Sequence, residues 1–424
     1  MKDKRRLTEG FKSLLIVLLT LSALYLLYLS PLLRGSPLAD LLADDDAPKA
    51  STGAALSVSV TPARMVVSNG VIRSGIQYDP QEVDRLFEQT APLLGEALRT
   101  ASSPTAVTEA EWQSLLSGAG LYFDFLTPLP LSALCGWLQS AGDNPALTHS
   151  ARHLLLAPRW DGSVVLGYQG SGGGCFLSVT GLSAQLHLAP ITEAITPNGA
   201  YFAYEDETLA PVLTPLTLFS GTEPDFPIFS IASPDLSPGS GAADQLLSSL
   251  SFGEQNSAPI SGGWVYADGE DTLRLYGDGQ VIYHAAQPGK YPCAGTGLSA
   301  ALDAAWALAE GALTPLSGSG RLYLTEAQTV APDCYQISFG YLLNGCPVQL
   351  HQDGWAAQFT VEEGAVTAFT LRPRIYTDAG QTALLLPQEK AAAALSTLTD
   401  HPCELLIQYS DDGSAAASPH WVGK

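Results

Sequence analysis

The hydrophobic pattern of this chain falls into three regimes. The first is an unbroken apolar run at residues 13–33, SLLIVLLTLSALYLLYLSPLL, without a charged side chain. Twenty-one helical residues at about 1.5 Å rise span about 31 Å, close to the roughly 30 Å hydrocarbon core of a bilayer. The second regime is helical stripes. Val83, Leu86, Phe87, Leu94 and Leu98 recur behind Asp79 and Pro80, an N-cap and a proline suited to the first turn, with Pro92 inside the stripe. Residues 131–139, 244–250, 298–313 and 387–398 predict further helices; Leu298, Ala301, Leu302, Ala305 and Leu308 share one face of the longest. The third regime is short apolar or alternating segments bounded by turn residues, which predict strands. These are 121–126, 152–158 and 163–169 around Asp161-Gly162, 175–180, 185–191, 272–276 and 280–284, 321–324, 335–343, 358–361 and 366–371 around Glu362-Glu363-Gly364, and 405–409.

Helices and antiparallel hairpins alternate in blocks, so the expected class is α+β: one N-terminal transmembrane helix, then a multi-domain extracytoplasmic part of antiparallel sheets with packed helices. The expected organisation is a basic cytoplasmic tail at 1–12, the anchor at 13–33 and a flexible acidic linker at 34–60. Outer domains follow at 61–222, 223–317 and 318–424. The rival reading of the apolar run is a cleaved leader, which has a shorter apolar stretch and an A-x-A-like site. No clean site of that kind occurs in residues 30–47, and a lipoprotein reading fails because the first cysteine is Cys135.

Charge sharpens the topology. Lys2, Lys4, Arg5, Arg6 and Lys12 against Asp3 and Glu9 give residues 1–12 a balance of +3 within a total of −22, which leaves −25 for the rest. A basic flank on the N-terminal side of the run places residues 1–12 in the cytoplasm and the bulk of the chain outside, as a single-pass protein of the cell membrane. With 46% hydrophobic and 15% charged residues the chain can bury cores and is not a disordered one. An acidic body argues against sequence-independent nucleic-acid binding, which needs a basic surface.

Several phrases occur in a fixed order. Tyr122-Phe123-Asp124-Phe125-Leu126 leads into Pro128-Leu129-Pro130-Leu131. Gly263-Trp264-Val265-Tyr266-Ala267-Asp268-Gly269 comes next, and Asn344-Gly345-Cys346-Pro347-Val348 lies near the end. With the anchor, this order resembles the YycH family of membrane-anchored regulators of two-component systems, across roughly residues 80–400. The Asn-Gly-x-Pro-Val phrase is also similar to the related YycI type. The resemblance implies regulation without catalysis. The implied partners are a sensor histidine kinase of the WalK/YycG kind, which serves cell-envelope homeostasis, and a YycI-type companion regulator.

Candidate chemistry is sparse. His149 and His153 have metal-like spacing, but the H-E-x-x-H pattern is missing, and no metal or cofactor is expected. No G-x-S-x-G elbow or P-loop occurs; the run from Gly170 to Gly174 reads as a hairpin loop. Asp44-Asp45-Asp46 lacks the spaced ligands and Gly turn of a calcium loop. Six cysteines lie beyond the apolar run, among which the domain reading pairs Cys135 with Cys175, against the alternative of buried thiols. On the anchor, Ser13, Ile16, Thr20, Ala23, Leu27 and Ser30 recur at helical steps. Small and hydroxyl residues on one stripe let a partner helix approach closely in lipid. The expected function is therefore a non-enzymatic regulator of a sensor kinase. A second reading is an extracytoplasmic protein that binds a peptide or wall fragment through a sheet edge or an interdomain cleft. A cell-wall enzyme would need two convergent carboxylates.

Overall fold

The computed structural model describes residues 60–138, 144–221, 225–253, 256–350, 354–399 and 401–424. Residues 55–424 form a compact unit of their own. No helix among the described residues is long and apolar enough to cross a membrane; the expected anchor at 13–33 and the linker lie outside the described residues.

The first half builds a seven-stranded antiparallel sheet. Its strands are β1 (Arg64–Asn69), β2 (Arg73–Gln77), β3 (Thr105–Val107), β4 (Ala119–Pro130), β5 (Ser150–Pro158), β6 (Ser163–Gly170) and β7 (Cys175–Ser183), in the order β2-β1-β4-β5-β6-β7-β3. Both faces are buried, which is why β4 to β6 read as nearly continuous apolar runs. Met65, Val67, Leu121, Phe123, Leu154 and Leu156 face one core, and Val66, Tyr122 and Leu155 face another with Trp112.

Helix α1 (Pro80–Thr100) packs on the first of these faces through Val83, Phe87, Leu94 and Leu98. The Asp79 side chain accepts from Glu82 N, as the N-cap reading expects. Helix α2 (Glu109–Ser117) is held by a capping box between Thr108 and Glu111, and α3 (Leu131–Trp137) follows β4.

Residues 185–191 correct the sequence reading. Instead of a strand they form a π-helical turn, Ala184–Leu188, and a short helix α4 (Ala189–Thr192). By then β7 is already paired with β6 on one side and β3 on the other, so no edge is open, and Pro190 could not donate to a ladder.

After a two-stranded hairpin, β8 (Tyr201–Phe202) and β9 (Leu218–Phe219), the rest of the chain shares one thirteen-stranded sheet among the described residues. It contains β10 (Phe226–Ala232), β11 (Ser257–Ile260), β12 (Gly263–Asp268), β13 (Asp271–Tyr276), β14 (Val281–His284), β15 (Arg321–Ala331), β16 (Cys334–Leu343), β17 (Cys346–Leu350), β18 (Ala357–Glu362), β19 (Ala365–Leu371), β20 (Ile375–Ala383), β21 (Leu405–Asp411) and β22 (Ala416–Gly423). Helices α5 (Gly241–Ser249), α6 (Gly297–Leu313) and α7 (Gln388–Leu395) are interspersed. All pairs are antiparallel except β17 with β21.

The expected Glu363-Gly364 turn joins β18 to β19 with both residues at positive φ, 52° and 76°, as a two-residue hairpin of matching twist requires. Asn344 and Gly345 do the same between β16 and β17, at 51° and 75°. This second turn also reaches the first sheet. Asn344 Nδ2 donates to Tyr78 O at 3.0 Å, and a Cβ on Gly345 would sit 3.5 Å from Tyr78 Cα.

Tyr78 itself is buried at φ 61°, a conformation that costs a bulky residue about 1–3 kcal/mol. It is held there by edge contacts with Phe226 and Trp421 and by its hydroxyl, which accepts from Ile407 N at 3.3 Å. Tyr78→Phe would leave that buried N–H without an acceptor. It should lower the unfolding free energy by about 1–3 kcal/mol in a urea titration; an unchanged midpoint would show that the hydroxyl holds nothing.

Candidate functional site

Four charged side chains meet where the two sheets join. Arg64 opens β1 and stands opposite Asp124 of β4 in the strand register, while Asp124 stands opposite His153 of β5. Arg152 Nε and Nη2 grip Asp124 at 2.7 and 2.9 Å, and its Nη1 and Nη2 grip Glu404 at 2.7 Å each. Arg64 Nη1 completes the ring, 2.7 Å from Glu404 and 3.3 Å from Asp124. Glu404 immediately precedes β21, so the clamp ties the first sheet to the second.

Asp124 and Arg64 are almost wholly buried, and Arg152 and Glu404 keep 21% and 13% of their side chains exposed. Burial alone would raise both acids. The two guanidiniums overcome it, bringing Glu404 down to about 2 and Asp124 well below the carboxylate range. Burial lowers His153 despite the attraction of Asp124. A small adjoining cavity of about 250 Å³, lined by Trp112, His153 and Gln169, falls below the roughly 300 Å³ at which ligand pockets begin.

The other face of the same strand segment borders a much larger space. Phe125 and Leu129 of β4 line a groove of about 1240 Å³, walled also by α1, α6 and the start of β15. Between them the strand bulges: its register with β5 slips from Asp124 to Leu129, and Leu126 takes φ 64° while its N–H donates to Asp124 Oδ1 at 2.8 Å. Clamp and groove are thus two faces of one bulge. The floor is aromatic. Phe87 meets Phe125 edge-on with centroids 6.3 Å apart, and Trp137 lies 5.2 Å from Trp306. Trp137 Nε1 donates to Asp303 Oδ1 at 2.6 Å.

The rim is charged. Arg99 pairs with Glu96 and Arg321 with Asp84. Glu88 and Glu310 line the groove with no cation or hydrogen-bond donor on their carboxylates among the described residues. Burial raises the Glu310 carboxyl above its ordinary range.

The expected site residues are dispersed. Ser13, Ile16, Thr20, Ala23, Leu27 and Ser30 lie outside the described residues. Cys135 sits in the larger core and Cys175 in the smaller one, so the fold does not bring this pair together. His149 and His153 go to separate partners, Tyr168 Oη and Gln169 Oε1. No cluster of three or more His, Cys, Asp or Glu among the described residues is placed to hold a metal. The clamp was not foreseen from sequence, although Asp124, a lone charge between Phe123 and Phe125, was its visible signal.

No family model matches the chain, and no curated protein matches it. Among solved structures, the crystal structure of YycH from Bacillus subtilis matches with a TM-score of 0.54 and 12% identity, covering 87% of this chain and 94% of that one. The expected resemblance is borne out in the fold.

Removing one partner from a buried ion pair leaves an uncompensated charge, so Asp124→Ala should cost about 3–5 kcal/mol of stability in denaturant unfolding. The pH profile follows from the depressed values. The clamp's contribution is complete above the ordinary carboxylate range, about pH 4.5, and is lost as pH falls through the depressed folded values, about 2 for Glu404 and lower for Asp124. His153, held neutral, adds a shallower loss beginning below about pH 6.5. Unfolding free energy should therefore fall with acid in two stages, and Asp124→Ala should flatten the lower one. A profile unchanged by that substitution would contradict the clamp.

Proposed function

We propose that this protein is a membrane-anchored, non-enzymatic regulator of a two-component sensor histidine kinase that controls cell-envelope homeostasis. It acts through the helix at 13–33 and through its outer body. The likeness of fold to YycH over most of both chains carries this reading. The basic tail and apolar run, which suit a single-pass anchor with the bulk outside, support it. The partners on this reading are the kinase and a YycI-type companion regulator, met within the membrane along the stripe of Ser13, Thr20 and Ala23.

A second reading has its own observation. A groove of about 1240 Å³ with an aromatic floor exceeds the roughly 300–1,000 Å³ of small-molecule pockets and suits a peptide segment. On that reading the outer body is a binding module, and regulation and binding are compatible in one molecule.

Two experiments test the first reading. The tagged full-length protein, extracted from membranes in mild detergent, should bring down a sensor histidine kinase. Failure to recover one after crosslinking would remove the proposed partner. Changing Ser13, Thr20 and Ala23 together to Leu should alter kinase-pathway output at equal protein level. Single interhelical polar contacts average only about 0.6 kcal/mol, so the three are changed at once. Unchanged output would reject the stripe.

A further inference from the structure

The groove has a chemical character beyond its size. Its acids outnumber its bases: Asp84, Glu88, Glu96 and Glu310 line it against Arg99 and Arg321. Both arginines are already committed, to Glu96 and to Asp84. Two carboxylates are left over, one on each facing helix: Glu88 on α1 and Glu310 on α6. Glu310 is half-buried one helical turn beyond Trp306, which forms part of the aromatic floor. A half-buried carboxylate without a counter-ion is an unfavourable arrangement that a bound cation would relieve. Tyr323, half-buried on β15, also lines the groove.

We infer that the groove binds a peptide segment of a partner protein that carries apolar side chains and at least one lysine or arginine, the apolar groups resting on the aromatic floor and the cation lying between Glu310 and Glu88. This deepens the binding-module reading and does not rest on the kinase reading. The chemistry is coherent. A half-buried carboxylate attracts a cation, and partial desolvation in a groove strengthens that contact relative to open solvent. An acidic segment would meet two uncompensated carboxylates and be repelled. The net −25 of the chain beyond its tail adds a long-range attraction of the same sign, which speeds encounter but does not select this groove.

The test uses the full chain in nanodiscs of zwitterionic lipid, with empty nanodiscs as the blank. The probes are three short fluorescent peptides that alternate leucine with lysine, with serine or with glutamate. Anisotropy should report saturable binding of the lysine peptide, with the serine peptide at least about tenfold weaker and the glutamate peptide silent. Glu310→Gln should weaken the lysine peptide by about tenfold, whereas Glu207→Gln, an exposed carboxylate outside the groove, should leave it unchanged. Ala91→Trp, which fills the groove from α1, should abolish binding of every peptide.

Equal weakening by Glu207→Gln and Glu310→Gln would reduce the effect to net charge and overturn the inference. Lysine and serine peptides that bind equally, both lost on Ala91→Trp, would overturn the cation preference while keeping the groove as a peptide site. Binding that persists in Ala91→Trp, or no binding of any peptide, would overturn the inference and the binding-module reading together.

Discussion

Two arginines and two carboxylates, withdrawn from water, must find one another across as many as 340 residues of chain. Each ion gives up several kcal/mol of hydration on burial, and only good geometry with nearly every donor and acceptor engaged offsets that loss. Here the geometry is good. Arg152 is bidentate to both acids, Arg64 touches both, and Asp124 also accepts from the backbone of Leu126. Two positive and two negative charges leave the ring neutral. A buried ring of this kind is weak evidence of added stability over an apolar substitute, but it discriminates strongly against wrong pairings. Any arrangement that omits Glu404 strands two guanidiniums with one carboxylate.

That constraint propagates. Asp124 fixes the bulge in β4, the bulge aims Phe125 and Leu129 to the opposite face, and that face is one wall of the groove. Tyr78 makes a second tie close by, held in left-handed geometry by the β16–β17 turn and by Ile407 at the start of β21. Through these two ties the groove is walled by elements from both sheets, α1 and β4 on one side, α6 and β15 on the other. A groove built this way is preorganised, since its walls are set by buried contacts elsewhere and not by the ligand.

Much of the fold could be read from local chemistry. Asp79 and Pro80 announced α1, Asp161-Gly162 its hairpin, and Glu363-Gly364 another, because caps and two-residue turns are decided by a few neighbouring residues. The strand proposed at 185–191 failed for a non-local reason: both edges of β7 were taken. The clamp shows the same limit. Asp124 stood out as a charge inside an apolar strand, but nothing near it pointed to Glu404, and only assembly of the second sheet brings that residue within reach. The groove was partly visible, since Trp137 and Trp306 lie on segments expected to be helical, yet their 5.2 Å approach depends on how α3 and α6 meet. The Asn344-Gly345 phrase was noticed for its family pattern; its physical role is a turn that buttresses Tyr78.

If the clamp couples the sheets, they should open as one unit. Native-state hydrogen exchange in rising denaturant measures this directly, because it assigns an opening free energy to each amide. The coupling predicts that the slowest amides of β4 and β5 share one isotherm with those of β21 and β22, and that Asp124→Ala splits them into two. Separate isotherms in the unaltered protein, with one sheet opening while the other stays protected, would contradict it.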